Sequence, residues 1–251
     1  MKKSCIIVLL GFVLPGILVG TPVQEENVNH AGVAFRVVRT APDQVELVWK
    51  DEKGEAFRNF DKVRAAFAAK GKTVRFLMNA GIFEMGGTPC GLHVENGKTL
   101  HPLNLDNDEG NFFLKPNGVC WIESHGKQLR AYIAESAAYQ KRTSHLKEST
   151  VITAVQSGPL LLSDGNRHPA FRDRSPNKLH RNGVGVDAGG RLVFAITDKE
   201  QWVNLWDFAG LFLKLGCQQA LFLDGDISKM VTNPDKPVAS NPFGAMFVIV
   251  E

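Results

Sequence analysis

Between Val33 and Trp49 the chain alternates apolar and polar positions on both sides of a Pro42-Asp43 pair, in "VAFRVVRTAPDQVELVW". A period of two around turn residues predicts an antiparallel hairpin. The period then changes. In "NFDKVRAAFAAKGK", Phe60, Val63 and Phe67 recur at helical spacing, Asn59 or Asp61 offers a cap and Gly71 a stop, so a helix is predicted. A buried strand from Val74 to Met78 runs into the glycine turn of "MNAGIFEMGG". "GLHVENGKTLHP" carries Asn96-Gly97 and "GNFFLKPNGVCWIES" carries Pro116-Asn117-Gly118, and each predicts a hairpin. "AVQSGPLLLSDGNRH" supplies two short strands, and "NGVGVDAGGRLVFAITDK" a hairpin turning between Asp187 and Gly190. Leu205, Phe208, Leu211 or Phe212, and Leu215 mark a second helix that stops at Gly216, and strands at Ala220 to Leu223 and Ala245 to Val250 close the pattern. These elements make one α+β domain of mixed or antiparallel sheets with a few packed helices, free of internal repeats and low-complexity linkers.

The N-terminus breaks this pattern. "MKKSCIIVLLGFVLPGILVG" sets Lys2 and Lys3 before an apolar run from about Cys5 to Val19, interrupted by Gly11, Pro15 and Gly16. That layout is a signal peptide, too short and too broken for an ordinary membrane span. Residues 1–20 are therefore expected to be removed, leaving a domain over residues 33–251, exported to the periplasm or beyond and without stable membrane insertion. An uncleaved N-terminal anchor is the competing reading. Removal leaves Cys90, Cys120 and Cys217, an odd count with no Cys-x-x-Cys pair, which argues against a disulfide scaffold, a structural zinc site or a redox centre. A hydrophobic share of 44% and a charged share of 22% suit a globular chain. The net charge of +3, with no lysine- or arginine-rich block interleaved with aromatics, gives no footprint for nucleic acid.

Five apolar runs end in polar, glycine-containing turns, at "MNAGIF", "QSGPLL", "RNGVGV", "AITDKE" and "LDGDIS". Any one of them is what a turn requires; together they predict a cleft built from strand-end loops. In their order and spacing, "MNAGIFEMGGTPCGLHVENGK", "GNFFLKPNG", "QSGPLLL", "RNGVGVD" and "LGCQQALFLDGDIS" resemble the phosphodiester glycosidase domain family, from about Val33 to the C-terminus. That family includes the uncovering enzyme, which removes N-acetylglucosamine from a phosphodiester-linked mannose, and many exported bacterial proteins. The resemblance implies an α+β domain that hydrolyses a sugar-1-phosphodiester in an envelope or extracellular glycan. It departs at Asp226-Ile227, where the animal enzymes have a run of glycines, so specificity for N-acetylglucosamine is not carried over.

The residues themselves suit such chemistry. Cleaving a glycosidic bond to phosphate requires one group at the oxocarbenium-like carbon and a second for the leaving oxygen or the water. Asp224, at the end of the apolar run Leu221-Phe222-Leu223, is the expected catalytic carboxylate, with Asp226 and Asp198 as candidates for the second and Glu84 near enough to join them. Phosphate leaves readily, so an arginine fork matters more than a strong acid; Arg181, before Asn182-Gly183, is the expected phosphate ligand. Asn79, Phe83, Gln156, Ser157, Asn182 and Ser228 complete the expected substrate contacts, with Gly81, Gly158 and Gly225 admitting backbone approach. Metal dependence stays open. Two aspartates one residue apart also suit a divalent cation such as calcium, although a full calcium-loop pattern is absent. The loop "GNRHPAFRDRSPNKLHRN" is either a basic lid over an anionic substrate or a solvated loop. Two other classes of function compete: a non-catalytic module binding a phosphorylated or acidic polysaccharide, and a thiol enzyme acting through Cys90.

Overall fold

The structure, a computed structural model, describes residues 22–147 and 150–251. The expected signal peptide, with Cys5, lies outside the described residues. Along the chain run β1 (Glu25–His30), β2 (Val33–Thr40), β3 (Val45–Val48), α1 (Phe60–Ala68), β4 (Val74–Asn79), β5 (His93–Glu95), β6 (Lys98–His101), β7 (Gly118–His125), β8 (Gln128–Glu135) and α2 (Ser136–Thr143). After them come β9 (Val151–Ser157), β10 (Leu160–Ser163), β11 (Asn166–Arg167), β12 (Asn182–Asp187), β13 (Leu192–Thr197), α3 (Leu205–Lys214), β14 (Cys217–Asp224), β15 (Met230–Thr232) and β16 (Met246–Val250). The strands form three antiparallel sheets, ordered β1-β2-β13-β12-β14-β10-β11, β15-β4-β16-β3 and β6-β5-β9-β7-β8. No helix among the described residues is long and apolar enough to cross a membrane.

The inner faces of all three sheets meet in one core. Leu221 and Phe194 from the first sheet, Phe76 and Phe247 from the second, and Ile122 and Val155 from the third belong to it. At its centre the Phe194 ring lies 5.1 Å from Phe76 and 5.0 Å from Phe247, centroid to centroid. The outer face of the first sheet is covered by α3 and that of the second by α1, while Tyr139 of α2 packs on that of the third. Asn59 caps α1 and Asn204 caps α3, each accepting a backbone N–H three residues on.

Alternation fixed the strand state of 33–49 but not its partner. β2 and β3 belong to different sheets, because a one-turn helix at Pro42–Gln44 redirects the chain, and β3 pairs with β16. The hairpin partner of β2 is β1, across Ala31-Gly32 with φ of 49° and 76°. The hairpin expected within 110–124 is also replaced: Asn111–Phe113 is a one-turn helix with Phe112 buried, and β7 pairs instead with β8 and β9. The Asn96-Gly97 hairpin and the 182–197 hairpin form as the pattern predicts.

Gly183 and Gly185 bring α3 directly onto β12. A Cβ at Gly185 would lie 2.7 Å from Cys217 Sγ and 2.8 Å from Phe212 Cδ1. Gly185→Ala is therefore expected to cost about 1–3 kcal/mol through overpacking, read from urea unfolding; an unchanged midpoint would mean that α3 is not pressed onto this strand.

Candidate active site

β14 alternates as a strand between two apolar layers must. Leu221 and Leu223 enter the central core, while Ala220 and Phe222 face the α3 layer. Asp224 is in step with Phe222 and ends the strand, and both line a cleft of about 340 Å³. Its other walls are Ile82 and Cys90 from the loop after β4, Glu109 to Phe113 from the loop before β7, and Gly225.

Across the ladder from Asp224 stands Asn182, completely buried. Its Nδ2 donates to the Asn79 backbone oxygen at 2.9 Å and to Asn79 Oδ1 at 3.1 Å. Its Oδ1 accepts from Asp224 N–H at 2.8 Å and from Ser228 Oγ at 3.0 Å. Asn79 Oδ1 further accepts Lys229 N–H at 2.8 Å, and Ser157 Oγ donates to Leu223 O at 3.0 Å. Asn79, Ser157, Asn182, Asp224 and Ser228 are thus gathered into one framework, in which the amides and hydroxyls serve mainly to fix the end of β14.

The Asp224 carboxyl itself receives little support. Burial pushes its pKa up to about 6, opposed by one hydrogen bond of 2.7 Å from Gly225 N–H to Oδ1. Cys90, in the same cleft, has its thiol pushed up to about 11 by burial and by the neighbouring charges of Glu84 and Asp224. That is the opposite of an activated nucleophile, which needs a depressed pKa.

A second chamber of about 190 Å³ shares Asn111 with the first and is lined by Arg181, Asn177, Phe171 and Trp206 among others. Arg181 is only 1% exposed. Its Nε donates to Val203 O at 2.8 Å and its Nη2 to Asn177 O at 3.4 Å, while Nη1 has no partner among the described residues. Its guanidinium lies 5.4 Å from the centroid of Phe222, so that ring stands between the arginine and the Asp224 cleft. Burial lowers the Arg181 pKa to about 10, with the charge of Asp226 acting the other way. His180 is held between Thr197 Oγ1, 2.6 Å from Nδ1, and Ser228 O, 3.2 Å from Nε2, and burial depresses its pKa.

The other sequence candidates lie elsewhere. Asp226 is exposed and accepts His180 N–H at 3.1 Å. Asp198 donates its N–H to Ala34 O at 2.9 Å and accepts Lys199 N–H at 2.8 Å. Neither lines the Asp224 cleft. Gln156 is committed within the protein: Oε1 accepts Leu92 N–H at 3.0 Å and Asn104 N–H at 2.9 Å, and Nε2 donates to Asn104 O at 2.6 Å and Ser136 Oγ at 3.0 Å. Gly81 and Gly158 answer to neighbouring backbone, since a Cβ would lie 2.5 Å from Gln156 O and 2.7 Å from Phe112 O respectively. Gly225, by contrast, has open space beside it. Phe83 packs against Gly244, and Glu84 is exposed on the turn that follows. Among the described residues no three His, Cys, Asp or Glu side chains gather closely enough to hold a metal ion.

The phosphodiester glycosidase family model matches residues 72–249, which span both chambers and the asparagine framework. The chain belongs to the phosphodiester glycosidase family. It is 35% identical over 195 residues to the uncharacterized protein YigE of Escherichia coli, covering 77% of this chain and 71% of that one. In fold it is similar to the zebrafish N-acetylglucosamine-1-phosphodiester alpha-N-acetylglucosaminidase catalytic domain auto-inhibited by its pro-peptide, with a TM-score of 0.61 at 17% identity, covering 90% of this chain and 81% of that one. A hypothetical protein from Synechocystis also matches, with a TM-score of 0.53 at 13% identity over 91% of this chain and 61% of that one. The cleft geometry adds wall residues that the sequence reading did not name as site residues, above all Glu109, Asn111 and Phe113. Glu109 lies in a polar stretch, Asn104 to Glu109, that carries no periodicity, and Asn111 and Phe113 fall in the segment expected to form the 110–124 hairpin.

Two stability measurements follow from this geometry. Asn182→Ala removes the acceptor for Asp224 N–H and Ser228 and is expected to cost about 2–4 kcal/mol, given about 1–3 kcal/mol per buried group left unsatisfied; a loss below about 0.5 kcal/mol would remove Asn182 from that role. Asp224 has the reverse sign. Its folded pKa lies above the ordinary 3.8, so the stability it contributes is full below that value and is lost as pH rises through about 6. At 1.36 kcal/mol per pH unit the loss is on the order of 3 kcal/mol. Asp224→Asn is expected to raise the melting temperature at pH 8 relative to wild type and to leave it nearly unchanged at pH 3.

Proposed function

We propose that the protein is an exported hydrolase that cleaves a sugar-1-phosphodiester, with the sugar in the Asp224 cleft and the phosphate at Arg181 in the adjoining chamber. The observation that carries this reading is the placement of two desolvated groups of opposite sign in chambers that share Asn111 as a wall. The Asp224 carboxyl has its pKa raised by burial, and the Arg181 guanidinium keeps a buried Nη1 without a partner. A diester bridging the chambers satisfies both: its anionic phosphate pairs with the guanidinium, and positive charge developing at the anomeric carbon meets the carboxylate.

The name of the structurally similar zebrafish protein, an N-acetylglucosamine-1-phosphodiester alpha-N-acetylglucosaminidase, supports the same bond type. The sugar is a separate matter, because Asp226-Ile227 follows Gly225 at the cleft edge. Asp224 acts ionised, as nucleophile, base or electrostatic stabiliser, and Arg181 holds the leaving phosphate. Asp226 is a positioning residue through its charge on Arg181 and its bond to His180 N–H. Export follows from the N-terminal pattern of residues 1–20 and places the substrate in an envelope or extracellular glycan.

The purified mature protein is expected to release free sugar from at least one member of a panel of sugar-1-phosphodiesters, and Asp224→Asn to lower kcat by about 10³-fold or more, in keeping with loss of a main electrostatic group. kcat/KM is expected to rise with pH through about 6, where Asp224 ionises in the free protein. Failure of every diester, with wild type and variant binding phosphorylated glycan equally, would instead favour a polysaccharide-binding module.

A further inference from the structure

The hydrolysis proposed above needs a group that takes a proton from water, and the two aspartates expected from the sequence do not reach the cleft. The Asp226 carboxylate accepts the His180 N–H and the Asp198 carboxylate the Lys199 N–H of its own loop. Two carboxylates remain near Asp224. Glu84, exposed on the turn after Phe83, raises the Cys90 pKa through its charge but is not part of the wall. Glu109 is part of the wall.

Glu109 is also held from both sides. Upstream, Asn104 exchanges two hydrogen bonds with Gln156 and donates Nδ2 to Cys90 O at 2.9 Å. Asp106 N–H returns to Asn104 Oδ1 at 2.9 Å, and Lys115 Nζ donates to Leu105 O at 3.2 Å. Downstream, Phe112 is buried and its carbonyl accepts Asn117 Nδ2 at 2.9 Å. Between these anchors the Glu109 carboxylate accepts no hydrogen bond from the described residues; its own N–H is bonded to Asp108 Oδ1 at 2.8 Å, and Gly110 follows with φ of 98°. That backbone conformation suits glycine and turns the chain into Asn111–Phe113, leaving the glutamate at the open edge where solvent enters.

We propose that Glu109 is the second carboxylate of this site and the base that activates water, an assignment that rests on the phosphodiester glycosidase reading. In the step that consumes water, its oxygen bonds to the anomeric carbon and its proton passes to the Glu109 carboxylate. The bond from that carbon to its leaving oxygen breaks and the electron pair leaves with that oxygen. Phosphate departs without protonation, so a carboxylate is needed at the water and not at the leaving group.

The test compares wild type, Glu109→Ala and Glu84→Gln on the best sugar-1-phosphodiester, with and without sodium azide. Both residues are exposed, and thermal melts of each variant check that it is folded. Glu109→Ala is expected to lower kcat by about 10²–10⁴-fold, the range for a lost general base, while KM stays within about threefold. Azide is expected to restore turnover with glycosyl azide as the product, because this anion attacks without needing a base. Glu84→Gln is expected to stay within about threefold of wild type. Near-normal kcat in Glu109→Ala, a loss that azide does not rescue, or the large loss falling on Glu84→Gln would overturn the assignment while leaving the reaction intact. Absence of sugar release by wild type would overturn the reading and this assignment together.

Discussion

Two buried carboxamides, Asn79 and Asn182, tie the seven-stranded sheet to the four-stranded one where β14 ends. The bond from Asn182 Nδ2 crosses between the sheets, and its Oδ1 takes the Asp224 N–H. Buried amides stabilise only when their bonds are made, and leaving one unmet costs more than the bond itself contributes. The network therefore fixes one position of the strand end. It supports the backbone of Asp224 while giving its carboxyl no cation, so the carboxyl is carried into an apolar-walled cleft with a single hydrogen bond.

That arrangement repeats with the opposite sign on the far side of Phe222. Arg181 gives Nε and Nη2 to backbone oxygens and retains Nη1, and burial lowers its pKa just as burial raises that of Asp224. Both shifts arise from lost solvent more than from partners, and such opposed perturbations in adjoining cavities are what a polar ligand spanning them would relieve. The fold makes this affordable because three sheets share one core and the helices and outer faces add further apolar layers.

Local structure was legible in the sequence wherever a residue type answers to its own backbone. Asn59 as a cap, Asn96-Gly97 as a turn, and the apolar run ending at Asp224 all read correctly for that reason. Pairing was less legible, since alternation around Pro42 describes two strands equally well whether they face each other or part into separate sheets. Roles of polar and glycine residues were the least legible. Gln156 looks like a ligand donor but binds the 92–104 segment, and Gly81 is excluded from bearing a side chain by β9, a constraint that leaves the same letter in the sequence as a substrate contact would. Glu109 was hidden because a polar loop without periodicity carries no mark of the wall it joins.

Titration of the Asp224 carboxyl by carbon-13 NMR, in wild type and in Asn182→Ala, tests most directly whether this framework delivers a desolvated carboxylate. The account predicts a wild-type midpoint of about 6 and a downward shift in the variant, as water reaches a loosened strand end. A wild-type midpoint at the ordinary aspartate value, or one that does not move when Asn182 is removed, would contradict it.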